Sequence, residues 1–101
     1  MDLPPEPAVV PDEKGRRYAV AAVRNEMRQL LERRPADPVR GLSSVAFKAG
    51  QFMAASGFTQ ETILADLLRV AAGLGAEPGT VRTPLAQALA AGQAKPRSAP
   101  A

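Results

Sequence analysis

The sequence predicts an all-α fold, a small four-helix bundle, and three observations lead there. Hydrophobic residues make up 46% of the chain, but with three Phe, one Tyr and no Trp much of that fraction is alanine, which favours helix and lets helices approach closely. Apolar residues recur at spacings of three and four, the period of a helix with one buried face. Runs of Val, Ile, Thr and aromatics, which build strands, are absent. At 101 residues the chain is long enough for one domain with a modest core.

Residues 1–11 contain Pro4, Pro5, Pro7 and Pro11 and read as a disordered or extended acidic lead-in. The helical domain is expected over residues 12–92. Asp12 is placed to cap a first helix reaching about Arg34. Val20, Val23, Met27 and Leu30 form its buried stripe, widened by Tyr18 and Leu31. Pro35 and Pro38 read as its stop. A second helix is expected from about Leu42, capped by Ser43 or Ser44, with a stripe of Leu42, Val45, Ala46, Ala49, Phe52 and Met53 and with Phe47 on its flank. Gly50 inside it costs roughly 1 kcal/mol against alanine, which points to a close helix crossing. Ser56-Gly57 ends it.

Thr59 is placed to cap the third helix, with Glu61 in its first turn. Ile63, Leu64, Leu67, Leu68, Ala71 and Leu74 give the strongest apolar face in the chain, and Gly73 and Gly75 supply its stop. A broken fourth helix is expected: Pro78 opens one turn, then Thr83-Pro84 restarts the helix as N-cap and first residue. Leu85, Ala88 and Leu89 face the core, and Gly92 ends the segment. Residues 93–101 read as a loose basic tail. There are no internal repeats.

Composition bounds function as well. Cysteine and histidine are both absent, which removes disulfides, thiolate chemistry, Cys/His metal sites and the commonest general acid–base side chain. The acids are scattered and flank basic residues, so no convergent catalytic set is expected, and neither is a cofactor. No apolar run approaches the ~20 residues of a membrane span, and the N-terminus lacks a signal-peptide pattern, so the expected location is the cytoplasm. The net charge of +3 hides an asymmetry: residues 1–13 hold four acids and no base, and all 13 bases lie after them. A basic body behind an acidic tail points to an anionic partner.

Two constellations carry that idea further. Ser56-Gly57-Phe58-Thr59-Gln60-Glu61-Thr62-Ile63 has the pattern of a helix-turn-helix, with a glycine at the reversal and a capped second helix. Many plain helical hairpins share it, and Glu61 and Asp66 on the presumed reading helix repel phosphates. The second constellation is Arg17, Arg24 and Arg28, at i, i+7 and i+11 on one side of the first helix. Arg33, Arg34 and Arg40 continue past its end, and Lys48 follows on the next element. Guanidinium forks match phosphate oxygens. The bland alternative is a solvated face with Glu26 and Glu32 interspersed. The scarcity of aromatics argues against a platform on which successive bases stack.

From Tyr18 to Arg97 the chain resembles the helical domain that follows the catalytic part of phage- and plasmid-type bifunctional DNA primase/polymerases. Three stretches carry the resemblance: Tyr18-Ala19 through Glu26; Leu42-Ser43-Ser44-Val45-Ala46-Phe47 with Gly50-Gln51; and Leu85 to Ala91-Gly92 with Pro96-Arg97. Pro38-Val39 stand where the family has Arg-Asn, Ser43 stands at its second Asn, and Pro84 stands where Thr is usual. The resemblance implies a diverged, stand-alone, non-catalytic module that assists replication of a phage or mobile element by binding DNA or a replication protein. A protein-interaction adaptor or phage-encoded inhibitor is the alternative, and a helix-turn-helix regulator the second.

Overall fold

The computed structural model describes residues 13–97. Every regular element among them is a helix: α1 Glu13–Arg33, α2 Pro38–Gln51, α3 Met53–Ser56, α4 Gln60–Gly73 and α5 Pro78–Gln93. The fold is all-α, four full helices and one single turn around one core. The expected lead-in over residues 1–11 and the Asp12 cap lie outside the described residues.

On α1 the buried residues are Gly15, Ala19, Val23, Met27 and Leu30. Ala19 takes the place expected of Val20, which is only half-buried, and Tyr18, expected to widen the stripe, is 46% exposed. The N-terminal half of α1 lies against α3. Gly15 and Ala19, both small, are the buried residues of that half.

The second helix begins four residues earlier than its expected start at Leu42. Asp37 is its N-cap, accepting from the Arg40 backbone N–H at 3.3 Å, and Pro38 is its first residue. Aspartate followed by proline is a helix start, because proline's missing N–H is one the first turn leaves unbonded anyway. Ser43 and Ser44 are therefore inside α2 and cap nothing. The expected stripe of Leu42, Val45, Ala46, Ala49, Phe52 and Met53 is buried throughout.

Phe52 interrupts the helix, with φ −97° and ψ 6° and its N–H shared between the Lys48 and Ala49 carbonyls at 3.2 Å each. The single turn of α3 follows. The Ser56 hydroxyl donates to the Met53 carbonyl at 3.2 Å and accepts from the Phe58 N–H at 3.2 Å, so this buried polar group is satisfied. Gly57 then reverses the chain at φ 81°, a conformation glycine adopts without a Cβ penalty.

Thr59 caps α4 as expected, accepting from the Thr62 N–H at 3.1 Å. Thr59→Ala should cost about 1 kcal/mol, read as a lower denaturant midpoint with unchanged slope. Ile63, Leu67, Val70 and Ala71 are its buried residues, with Leu64, Leu68 and Leu74 partly covered.

The break expected at Thr83-Pro84 is absent: α5 is one helix from Pro78, capped by Glu77, with Pro84 inside it. Val81, Leu85 and Leu89, four apart, are all buried, and only an unbroken helix puts the three on one face. Pro84 supplies no N–H to the Thr80 carbonyl.

The closest packing is between α2 and α5. A Cβ at Gly50 would run into the Leu89 carbonyl oxygen and stand 3.1 Å from the Gly92 Cα, and a Cβ at Gly92 would run into the Phe47 carbonyl oxygen. The crossing expected at Gly50 thus has Gly92 as its partner. After α5 the chain turns back onto α2, where the sequence suggests a loose tail. Arg97 donates its N–H to the Gln51 carbonyl at 2.8 Å, the Gln51 amide donates to the Lys95 carbonyl at 3.1 Å, and the Arg97 guanidinium lies 5.2 Å from the centre of the Phe52 ring.

Candidate nucleic-acid interface

The outer side of α1 carries a row of three exposed arginines. Helical spacing sets Arg17, Arg24 and Arg28 within about 40° of one another. All three are exposed and border a groove that runs along α1 to the turn at Ser56, Gly57 and Phe58. Arg17 faces Glu13 at 3.7 Å, with side chains 79% and 69% exposed, and a pair that open to water holds the arginine only weakly. Arg28 donates to the neutral Asn25 amide oxygen at 2.6 Å, which orients the guanidinium and leaves its charge uncompensated. Arg24 has no ion pair among the described residues. Its guanidinium is free for an incoming anion.

The other four cations named in the sequence reading do not join this ridge. Arg33 closes α1 at roughly 160° around the helix from Arg17. Arg34 leaves the helix in the left-handed region at φ 46°. Arg40 is in the first turn of α2, next to the Asp37 carboxylate that caps it. Lys48 pairs with Glu26 at 3.4 Å, joining α2 to α1.

Arg16 was missed by sequence reasoning. Its Nε donates to the Ser56 carbonyl at 3.3 Å, and its guanidinium stands over Gly57. The partners are 40 residues apart, and no local pattern marks the contact. It ties the start of α1 to the α3–α4 turn and spends this arginine on structure.

The turn has the glycine reversal and threonine cap that suggested a helix-turn-helix. The start of α4 nevertheless offers phosphate little. Gln60, Glu61 and Thr62 are exposed there, the Thr62 hydroxyl oxygen already accepts from the Thr59 hydroxyl at 2.8 Å, and further along Asp66 holds Arg69 at 3.1 Å. Two acids against one base leave that helix face negative.

Among the described residues no group of three or more acidic side chains is placed to hold a metal ion. No helix of the described residues is long and apolar enough to cross a membrane. Comparison with protein-family models, with curated protein sequences and with solved structures finds no match to this chain.

Proposed function

We propose that this chain is a non-catalytic helical module that assists DNA replication of a phage or mobile element, binding DNA through the outer face of α1. The observation that carries the DNA reading is the ridge of Arg17, Arg24 and Arg28, three exposed guanidiniums in line, with Glu13 beside Arg17 and Glu32 one helical turn beyond Arg28. With a rise of about 1.5 Å per residue, the ridge is about 16 Å long, enough to meet several phosphates of one backbone. The replication role rests on the resemblance of residues 18–97 to the helical domain of phage- and plasmid-type primase/polymerases. The same resemblance leaves a replication protein as the other partner this module would serve.

Anisotropy of labelled duplex DNA at two salt concentrations tests the reading. Affinity should fall by about 0.9 logarithmic units per contact for each tenfold rise in salt. Arg24→Glu and Arg28→Glu should each weaken binding to every sequence alike, because phosphate contacts carry no base information. Gln60→Ala and Thr62→Ala should change little. Relaxed specificity at particular base pairs in those two variants would instead identify α4 as a reading helix. Absence of DNA binding near physiological salt would overturn the reading in favour of a protein-interaction adaptor.

A further inference from the structure

Tyr18 is the single tyrosine of a chain without tryptophan, and it is spent on the surface. An aromatic ring on an alanine-rich helix has core to gain by turning inward, yet the inward place goes to Ala19 and the ring stays 46% exposed. It is also held in place. The ring meets Phe52 edge to face, 6.1 Å between centres at 65°, and Phe52 is buried and gripped on a face by Arg97 at 5.2 Å. One turn further along α1 stand Ala21 and Ala22, which have no side chain long enough to lie across the ring. Tyr18 is thus braced on one side and open on the rest.

Cations stand before and after it along α1. Arg17 precedes it, Lys14 is one helical turn before it and Arg24 lies beyond Ala21, while Arg97 approaches through Phe52. Tyr18 borders the same groove as Arg17, Arg24 and Arg28. An exposed aromatic ring among phosphate-binding side chains is the combination that holds a single strand, since any base can stack and the backbone follows the charge. A duplex cannot use it in the same way, because its base faces are covered by their neighbours.

We infer that Tyr18 is a stacking post for an unpaired base of single-stranded DNA, with Lys14, Arg17 and Arg24 receiving the flanking phosphates. This rests on the proposed DNA-binding reading and adds the strand type to it. One ring holds one base, so the site suits a gap, a fork or a strand end rather than a long coated strand.

The lone tyrosine makes the test direct, because the protein's intrinsic emission reports on Tyr18 alone. Titration with an oligothymidylate should quench that emission, and titration with a duplex of equal length should leave it nearly unchanged. With labelled oligothymidylate followed by anisotropy, Tyr18→Ala should bind about tenfold more weakly and Tyr18→Phe within about twofold of the parent, since the ring is kept. Both variants should retain the helical circular dichroism of the parent. Unchanged oligothymidylate affinity in Tyr18→Ala, or unquenched emission while single strands bind, would overturn the stacking post even if duplex binding persists. Failure of both DNA forms to bind would overturn it together with the DNA-binding reading beneath it.

Discussion

Gly50→Ala should destabilise the protein by about 2–4 kcal/mol, against the helix-propensity expectation of a gain. Two effects compete at this position. Inside a helix alanine is better than glycine by about 1 kcal/mol. Here, however, the new methyl group points at backbone, at the Leu89 carbonyl oxygen, the Gln93 nitrogen at 3.0 Å and the Gly92 Cα at 3.1 Å. Backbone inside a helix cannot rotate aside, so relief requires α2 and α5 to separate, loosening a core to which both helices contribute, with Leu42 from α2 and Leu85 and Leu89 from α5. Overpacking a close-packed interior costs about 1–3 kcal/mol and occasionally more; a methyl group driven onto helix backbone lies at or above the top of that range, about 3–5 kcal/mol, and subtracting the propensity gain of about 1 kcal/mol leaves about 2–4. Thermal unfolding should show a midpoint lowered by roughly 10–25 °C for a domain of this size.

Gly92→Ala should behave likewise, because its methyl group meets the Phe47 carbonyl from the other side. The double variant should lose less than the sum of the two, since one separation of the helices relieves both clashes. Gly79 provides the contrast. A Cβ there meets nothing nearer than the Glu77 carboxylate oxygen at 3.6 Å, so Gly79→Ala should be neutral or stabilising by up to about 1 kcal/mol. A stabilised Gly50→Ala would show that the helices do not cross at these glycines.

Leu67→Ala should have an effect of similar size from the opposite cause, a void. Leu67 is wholly buried in the middle of α4. Truncating such a leucine loses its transfer free energy and leaves a cavity, together about 2–5 kcal/mol. Against a total stability of about 5–15 kcal/mol, that is a large share, readable as a lowered denaturant midpoint. Leu64→Ala and Leu68→Ala should cost clearly less, because both side chains are only partly covered. Equal losses at all three positions would mean that α4 is buried more evenly around its axis than described.

That ranking was not legible in the sequence. Leu64, Leu67 and Leu68 are the same residue at spacings that all fit a helix face, and only the neighbours' positions separate them. What could be read was local. Thr59 caps α4 because the cap needs only a hydroxyl and an N–H three residues on, and Gly57 reverses the chain for an equally short-range reason. Two misreadings came at prolines, Pro38 read as part of a stop and Pro84 as the restart of a broken helix. Pro38 begins α2 because Asp37 precedes it, and α5 passes through Pro84 because Val81, Leu85 and Leu89 are buried together.

The candidate interface divides in the same way. Arg17, Arg24 and Arg28 share a side by helical periodicity alone, which one sequence is enough to show. The pairing of Lys48 with Glu26, the use of Arg16 at Ser56 and the position of Arg97 over Phe52 all join distant parts of the chain. No single-sequence pattern encodes such contacts. Tyr18 was misplaced for a related reason: alternative buried stripes fit α1 equally well, and only the packed neighbours select the one with Ala19.

The glycine crossing also bears on how the chain reaches its native state. Gly50 and Gly92 are about forty residues apart, so the most intimate helix pair in the molecule is formed by closing a long loop, not by folding a hairpin. Such non-local closure slows folding relative to a bundle whose tightest contacts are between sequence neighbours. Until α5 arrives, the face of α2 that carries Gly50 is uncovered. During synthesis α1 to α4 emerge first, and the domain closes only when Gly92 is free to reach its partner. The last full helix is therefore the one that commits the fold.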